Sequence, residues 1–363
     1  MLSPRPWQNL YIHVPFCRCK CAYCAFYSVP DAEDLMRPWL NKIKAGFEAV
    51  AGLPLHTIYL GGGTPTFLPS DLLEELLSAI DALDSGAAEI SIECNPETLT
   101  EEKAAVLARH VNRVSLGIQS FDPVLRNRIG RQGDPAKIPA AFELLTAAGL
   151  TNLSCDLIYG LPGQTAAGWE QDLRCALSFP VKHLSAYSLT IEEGTPLSRR
   201  LAADPLADIR SAEMDKVTRR VLKSYGLKQY EISNYALPGS ECCHNWNVWH
   251  GETYLGLGPA ACSFNGRDRF TQTPSVLGWL AGTPPETDRV PDDVRRAEML
   301  MMGLRTVRGW ASGEFEAAAG IAPEAFRPEQ IASLRRKKMM KFNRVALTRR
   351  GLDFWNDAAL ELL

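Results

Sequence analysis

No stretch of this 363-residue chain comes near the ~18–20 consecutive apolar residues that a membrane-spanning helix needs. A dominant charge is missing too. The 39 Lys and Arg face 42 Asp and Glu, a net charge of −3. That is too little for a global field that gathers nucleic acid or an anionic surface. The first residues, Met1-Leu-Ser-Pro-Arg-Pro-Trp-Gln, carry no apolar core of a secretory signal. The expectation is a cytoplasmic protein. There is no internal repeat and no low-complexity tract. A disulfide scaffold serves short exported chains, which this is not. A second Cys-x2-Cys knuckle is also absent, which counts against a structural zinc site built from two separated knuckles.

What is present is a crowd of thiols. Of the ten cysteines, Cys17, Cys19, Cys21 and Cys24 fall within eight residues, directly after the apolar run Leu10–Val14 and the breaker Pro15. The other six scatter, as buried small apolar residues do. Three of the four have the spacing Cys17-x3-Cys21-x2-Cys24. Thiolates select soft metals: zinc, Cu(I) or iron–sulfur clusters. Zinc with Cys19 as fourth ligand would be a cramped site, whereas three thiolates suit a cubane cluster with one iron left open.

The chain after this turn alternates. A helix is expected over 32–53, a strand over 57–60, a helix over 71–83 and a strand over 89–93. Thr100 reads as a helix N-cap, with Glu101 and Glu102 in the first turn. Strands follow over 113–118, 153–159 and 183–190, with helices over 135–148 and 166–177. Thr165 is a second candidate cap. Six short strands alternating with amphipathic helices specify βαβ units and a parallel sheet. The unusual residues all follow strands: Gly61-Gly-Gly-Thr-Pro65, Glu93-Cys-Asn-Pro96, Gln119 and Asp156–Thr165. In α/β folds the carboxyl ends of the strands are where sites assemble.

Past Glu193 the pattern changes. A helix is expected over 210–225, a strand over 230–235, a Trp-, Gly- and His-rich stretch over 242–262, and helices from 292 onward. This divides the chain into a core over 1–205, a barrel-covering extension over 206–290 and a C-terminal module over 291–363. The module carries a local basic patch, Arg335-Arg-Lys-Lys338 with Lys341, Arg344, Arg349 and Arg350. Such runs usually decorate a solvated face, and no nucleic-acid partner is expected.

The Cys17-x3-Cys21-x2-Cys24 motif, with Tyr23 before the last cysteine, resembles the signature of the radical S-adenosylmethionine (SAM) superfamily. Further stretches are similar to its HemN/HemW group, which contains oxygen-independent coproporphyrinogen III oxidases and heme chaperones. They are Tyr11-Ile-His-Val-Pro-Phe-Cys17, Gly61-Gly-Gly-Thr-Pro65, Glu93-Cys-Asn-Pro96, Ser115-Leu-Gly-Ile-Gln-Ser-Phe121, the Asp156–Thr165 segment, Tyr230-Glu-Ile-Ser-Asn-Tyr235 and His244-Asn245.

The resemblance implies an α/β fold: a partial (β/α)6 barrel with a C-terminal, α-rich HemN-type domain. It implies a [4Fe–4S] cluster on Cys17, Cys21 and Cys24, with SAM on the open iron. It places SAM against Tyr11, Tyr23, Gly62, Gly63, Thr64, Glu93, Gln119, Arg131 and Asp156, and heme on His244. Physical reasons accompany several of these. Glycines let the backbone approach closely. A strand-end carboxylate accepts hydrogen bonds from an amino group or a ribose. A guanidinium grips a carboxylate with two donors.

Within the group, the oxidases carry a fourth cysteine two positions after the third, where this chain has Phe26. They also have a substantial extension before the Tyr-x-His-x-Pro stretch, where this chain has ten residues. The resemblance therefore implies a heme chaperone passing heme to an acceptor protein, with a membrane-associated acceptor among the expectations. The reductant would be a flavodoxin, a ferredoxin or an NADH-linked donor. The alternative is a radical SAM enzyme that cleaves SAM to a 5′-deoxyadenosyl radical. Its substrate would be coproporphyrinogen III or another small molecule, as in a methylase or cyclopropanase. Two residues depart from the group: Val248 where its His-Asn-x-x-Tyr-Trp motif has Tyr, and Cys262 where it usually has His.

Overall fold

The computed structural model describes residues 2–200 and 207–363; the expected boundary between 205 and 206 lies outside them. Six strands lie side by side in chain order and parallel: β1 (Asn9–Val14), β2 (Thr57–Gly62), β3 (Glu89–Cys94), β4 (Arg113–Gln119), β5 (Leu153–Tyr159) and β6 (His183–Ser188). Helices follow each of the first five strands: α1 (Met36–Gly46), α2 (Ser70–Asp81), α3 (Glu101–His110), α4 (Pro123–Arg128) with α5 (Lys137–Ala147), and α6 (Ala166–Ala176). Next comes α7 (Ala207–Ser224), packed on α6. The expected (β/α)6 order is present. The two expected caps are in place, Thr100 accepting from the Lys103 N–H at 3.2 Å and Thr165 from the Gly168 N–H at 3.1 Å.

Alternation along the strands decides what faces where. One row is apolar and fully buried: Leu10 and Ile12, Ile58 and Leu60, Val114 and Leu116, Leu153 and Cys155. It packs against helix residues at helical spacing, such as Trp39, Leu40 and Ile43 of α1 and Leu73, Leu76 and Leu77 of α2. Each such side chain contributes about 1.5–3 kcal/mol by leaving water. The other row is polar and points into the concave side of the sheet: Asn9 and His13, Thr57 and Tyr59, Glu89 and Glu93, Arg113 and Ser115, Ser154 and Asp156, His183 and Ser185. Its members bond across strands, Thr57 to Asn9 at 2.7 Å, Tyr59 to Glu93 at 3.0 Å and Ser115 to Asp156 at 2.8 Å. The sheet must be curled. In a flat sheet Tyr59 on β2 and Tyr187 on β6 would stand roughly 19 Å apart, yet both hydroxyls, raised in pKa by burial, are raised further by the same two carboxyl groups, Glu93 and Asp156.

The curl does not close. Short strands extend both edges into a twelve-stranded sheet. On one side β7 (Lys228–Gln229) pairs with β8 (Asn234–Ala236), which runs antiparallel to β6. The strand expected over 230–235 is thus mostly the turn of a hairpin. The Glu231 carboxylate accepts the Ser233 N–H at 2.8 Å and holds residues 230–233 out of the ladder.

After β8 comes α8 (Cys243–Trp249). Beyond it, on the other edge, β9 (Tyr254–Leu257) runs parallel to β1, followed by antiparallel β10 (Cys262–Phe264), β11 (Arg269–Thr271) and β12 (Glu286–Asp288). The helix α9 (Val276–Leu280) lies on α1. A second apolar core gathers Leu300, Trp310, Phe315, Leu334 and Met340. It is built by α10 (Asp292–Gly303), α11 (Glu314–Ala319), α12 (Pro323–Phe326), α13 (Pro328–Arg336), α14 (Arg349–Asp353) and α15 (Trp355–Leu362). His250 ties the second core to α8, edge-on to Trp310 and stacked on Trp246. Among the described residues no helix is long and apolar enough to cross a membrane.

The 206–290 segment does not simply cover the mouth. Its helix α8 lies against the first residues of β1, β2 and β3, at the opposite end of the sheet from the cysteine turn. Asn247 donates to Asn9 at 3.1 Å, and the Cys243 and His244 N–H groups donate to the Glu89 carboxylate at 3.0 and 3.1 Å. Replacing Glu89 with Ala would orphan these amides in a buried floor. The expected cost is about 2 kcal/mol, from the price of buried unpaired donors. Urea melts would report it, and an unchanged midpoint would show that the floor does not depend on this carboxylate.

Candidate functional site

The cysteine turn sits at the carboxyl end of the parallel strands, held from several directions. The Cys17 N–H donates to the Val29 carbonyl at 3.2 Å and the Val29 N–H to the Pro15 carbonyl at 2.8 Å. The Ala22 N–H reaches the Ile129 carbonyl, after α4, at 3.0 Å. The Ala22 carbonyl accepts the Leu197 N–H, after β6, at 2.8 Å. Loops from three strands thus hold one turn.

His13 acts as its internal post. Its Nε2 lies 2.8 Å from the Tyr27 carbonyl, which can only accept, so Nε2 carries the proton. Its Nδ1 then accepts from the Tyr11 hydroxyl at 3.0 Å. Burial lowers its pKa, in keeping with a neutral ring.

The Gly61-Gly-Gly run serves close packing within the protein. A Cβ on Gly61 would touch the Glu93 carboxyl at 2.9 Å. One on Gly62 would meet the His13 ring at 2.4 Å. One on Gly63 would strike the Val14 and Phe16 carbonyls at 2.7 Å. Gly62 also has φ +104, outside the range L-residues favour. Gly62→Ala is therefore expected to cost about 2 kcal/mol from backbone strain alone and to push His13 off the cysteine turn. A thermal melt of the purified variant checks this. A wild-type melting temperature would mean that the ring moves aside freely.

The thiols share one electrostatic neighbourhood. Cys17 Sγ lies 3.4 Å from the Thr64 hydroxyl. Arg131 donates to Cys21 Sγ at 3.9 Å and to the Gly117 carbonyl. Burial raises the Cys17 and Cys24 pKa values, and Cys24 is raised further by the nearby Cys21 and Cys17. Burial works against the charge on Arg131, but Tyr23 and Cys21 outweigh it and its pKa rises. Tyr23 packs against the small apolar cluster of Leu125, Ile129, Ile158 and Leu161.

Further across the mouth, Glu93 accepts from the Tyr59 hydroxyl at 3.0 Å and the Gly62 N–H at 3.2 Å. Burial, reinforced by the Asp156 carboxyl, pushes its pKa up to about 7. Burial also raises Asp156, against hydrogen bonds from Ser185 and Ser115. Gln119 adopts φ +74 where the β4–β5 register shifts. A Cβ on Gly117 would meet both its amide, at 3.2 Å, and the Arg131 guanidinium, at 3.5 Å. Tyr11 stacks on Tyr59, centroids 6.3 Å apart.

The structure thus brings Cys17, Cys21, Cys24, Tyr11, Tyr23, Gly62, Gly63, Thr64, Glu93, Gln119, Arg131 and Asp156 to one end of the sheet. Sequence reasoning missed Tyr59 and Ser115. Their signal was available, since each shares its strand face with a named residue two or more positions on. Among the described residues no three Cys, His, Asp or Glu side chains are gathered at metal-holding distance, so the three thiols would converge on a cluster. Their chemistry fits one: three soft donors on one turn, with Arg131 offsetting anionic charge and its Nε left without a partner.

His244, expected as a heme ligand, stands apart from these residues. It lies in the floor, 6% exposed, with its ring tilted on Tyr59 at 5.1 Å. The Thr57 hydroxyl gives its proton to Asn9 and so accepts from His244 Nδ1 at 2.8 Å. Burial takes the imidazole pKa down to about 3. The neutral ring with Nδ1 protonated is the form whose Nε2 can take a metal, but a macrocycle could reach it only if α8 left the floor. Cys262 lies 3.8 Å from the Tyr254 hydroxyl, on β10.

A model of the radical SAM superfamily matches residues 11–176. The chain is 33% identical to the heme chaperone HemW of Lactococcus lactis subsp. lactis (strain IL1403), over 96% of both chains. It is 32% identical to that of Bacillus subtilis (strain 168), over 96% of this chain and 97% of the relative. It is 34% identical to that of Escherichia coli (strain K12), over 89% of both. Among solved structures, coproporphyrinogen III oxidase (HemN) from Escherichia coli superposes with a TM-score of 0.83 at 19% identity, over 99% of this chain and 91% of that one. At that identity the likeness speaks for the fold alone.

Proposed function

The chain belongs to the HemW group of the radical SAM superfamily, and on that footing we propose that it is a heme chaperone. It binds heme and passes it to an acceptor protein, while Cys17, Cys21 and Cys24 hold a [4Fe–4S] cluster with SAM on the open iron. The observation that carries this reading is the full-length relationship to HemW proteins, 33% identity over 96% of both chains. Phe26, 69% exposed on the cysteine turn, supports it, because the oxidases place a fourth cysteine there.

In this reading the chain's own groups divide the work. Arg131 sits beside the Cys21 thiol and would hold the methionyl carboxylate of SAM. Glu93, already bonded to Tyr59 and the Gly62 amide, would accept from the SAM amino group. Tyr11 and Tyr59 line the polar concavity beneath. Reduction of the bound cluster by a flavodoxin, a ferredoxin or an NADH-linked donor would supply the electron for reductive SAM cleavage.

The test is anaerobic reconstitution with iron and sulfide, followed by heme titration and assays with coproporphyrinogen III. A Soret band that saturates with heme, without porphyrinogen turnover, is the expected result. Turnover without a heme-dependent Soret band would replace the chaperone with an oxidase. His244→Ala measures the floor histidine's part: unchanged heme binding leaves it purely structural.

A further inference from the structure

Three segments meet at Ala22, and each brings cations to the rim of the mouth. Arg18 and Lys20 lie on the cysteine turn itself. The Ala22 N–H donates to the Ile129 carbonyl at 3.0 Å, one residue past Arg128. The Ala22 carbonyl accepts the Leu197 N–H at 2.8 Å, and the turn closed by the Arg200 N–H on the Leu197 carbonyl, at 3.0 Å, carries Arg199 and Arg200. All five cations are exposed. Arg128 is steadied by donating to the Pro162 carbonyl at 2.9 Å. Gly163 makes room for it, since a Cβ there would overlap its guanidinium. Among the described residues none of the five forms an ion pair. The acid of α4, Asp122, is spent on capping that helix through the Val124 N–H at 2.7 Å. Asp31, Glu192 and Glu193 belong to the same segments but pair with none of the five. Two apolar side chains stand in these segments without cover: Phe26, two residues past Cys24, and Val124, 56% exposed. Val124 lies four residues before Arg128 on α4 and so shares its face. Apolar side chains amid unpaired charge have the composition of a protein interface. The chain as a whole carries −3, so an acidic partner is repelled by the rest of the surface and drawn here.

We propose that this rim is the docking face for a small acidic one-electron carrier protein that reduces the cluster. The inference rests on the cluster reading given above. The carrier's acidic surface meets Arg18, Lys20, Arg128, Arg199 and Arg200, and the apolar edge around its redox group covers Phe26. One electron leaves the carrier and enters the cluster; no bond forms or breaks and no proton moves. The rate of such a transfer falls steeply with distance, and Cys17 and Cys24, both half-buried, bring the cluster site nearest to solvent at this turn. The unpaired state of the cations fits the task. Rim charges act on the rate of encounter, and ion pairs within the chain would cancel the field that steers it.

The probe is a flavodoxin of net negative charge. Reconstituted full-length protein is mixed anaerobically with the reduced flavodoxin, and cluster reduction is followed by stopped-flow absorbance. Calorimetry measures the binding of oxidised flavodoxin to loaded and to empty protein. The wild-type second-order rate should fall about tenfold between about 0.05 M and 0.5 M salt, as steering is screened. The triple variant Arg128→Glu, Arg199→Glu, Arg200→Glu lies off the cysteine turn. It should bind and react about tenfold more weakly at low salt and lose the salt dependence. Phe26→Ala should weaken binding about fivefold and keep the salt slope. Photoreduced deazaflavin, a small reductant that needs no docking face, should reduce wild type and variants alike. If flavodoxin binds and reduces the triple variant as well as wild type, the proposal is overturned. It is overturned too if the variant keeps its flavodoxin rate but loses self-association in sedimentation, which would make the rim a contact between copies of this chain. If reconstituted wild type shows no cluster absorbance, it is the underlying cluster reading that fails.

Discussion

Replacing Cys21 with Ala should reduce the iron and sulfide retained after reconstitution by about tenfold or more, since a cubane with two protein thiolates loses the chelation that holds it. Cys17→Ala and Cys24→Ala should do the same. The thiols are not equivalent in their surroundings: Cys17 meets Thr64, Cys21 meets Arg131, and Cys24 is fixed by its N–H on the Cys21 carbonyl at 3.2 Å. Folding should survive all three changes, because the turn is pinned by backbone bonds at Cys17, Ala22 and Val29 rather than by thiols. Circular dichroism separates loss of cluster from loss of fold. A Cys24→Ala protein that keeps a full [4Fe–4S] spectrum would show that Cys19 or another thiol is the third ligand.

The second large effect is a pH dependence centred on Glu93. Burial of its carboxyl, reinforced by Asp156, raises its pKa in the folded protein to about 7, against an ordinary value of 4.5. Between those two values the folded state holds a proton that the unfolded chain has released. This group's contribution to stability is therefore fully present below 4.5 and is lost as pH rises through about 7. The gap corresponds to about 3 kcal/mol. Glu93→Gln keeps the neutral shape and should flatten the fall in melting temperature between pH 5 and pH 8, ending up more stable than wild type at pH 8.

Ligand binding should show the opposite slope. An ammonium group such as that of SAM prefers the carboxylate, so wild-type affinity should rise through pH 7, while Glu93→Gln binds weakly at every pH. Calorimetric titrations at pH 6 and pH 8 measure this. Equal pH slopes in wild type and variant would remove Glu93 from the SAM contact.

Much of this was legible in the chain. Alternation along β1–β6 is a local property, and so is the spacing that buries Leu73, Leu76 and Leu77 of α2. The cysteine turn was legible because its thiols are close together in the chain. The strand expected over 230–235 failed for a local reason with a non-local cause. The run reads as apolar alternation, but the Glu231 carboxylate captures the Ser233 amide, and Glu231 is itself fully buried and pairs with Thr306. The role of the Gly61-Gly-Gly run was only half legible. Three glycines signal close approach, but that the approaching groups are the His13 ring and the Val14 and Phe16 carbonyls depends on how β1 and β2 pair.

The sequence by itself determined the βα order, the crowd of thiols on the first turn and the family, because each is written in residue type and short-range spacing. Tertiary structure alone decided which end of the sheet each later motif reaches. His244 follows the strands by more than fifty residues and lands under the first residues of β2 and β3, not over the cysteines, because Glu89 and Thr57 offer buried acceptors for its backbone N–H and its ring. Burial at the mouth, with Asp156 two strands away, likewise raised the Glu93 carboxyl pKa to about 7. Spacing along a chain cannot reveal such an influence, because it acts between β3 and β5, which are not adjacent.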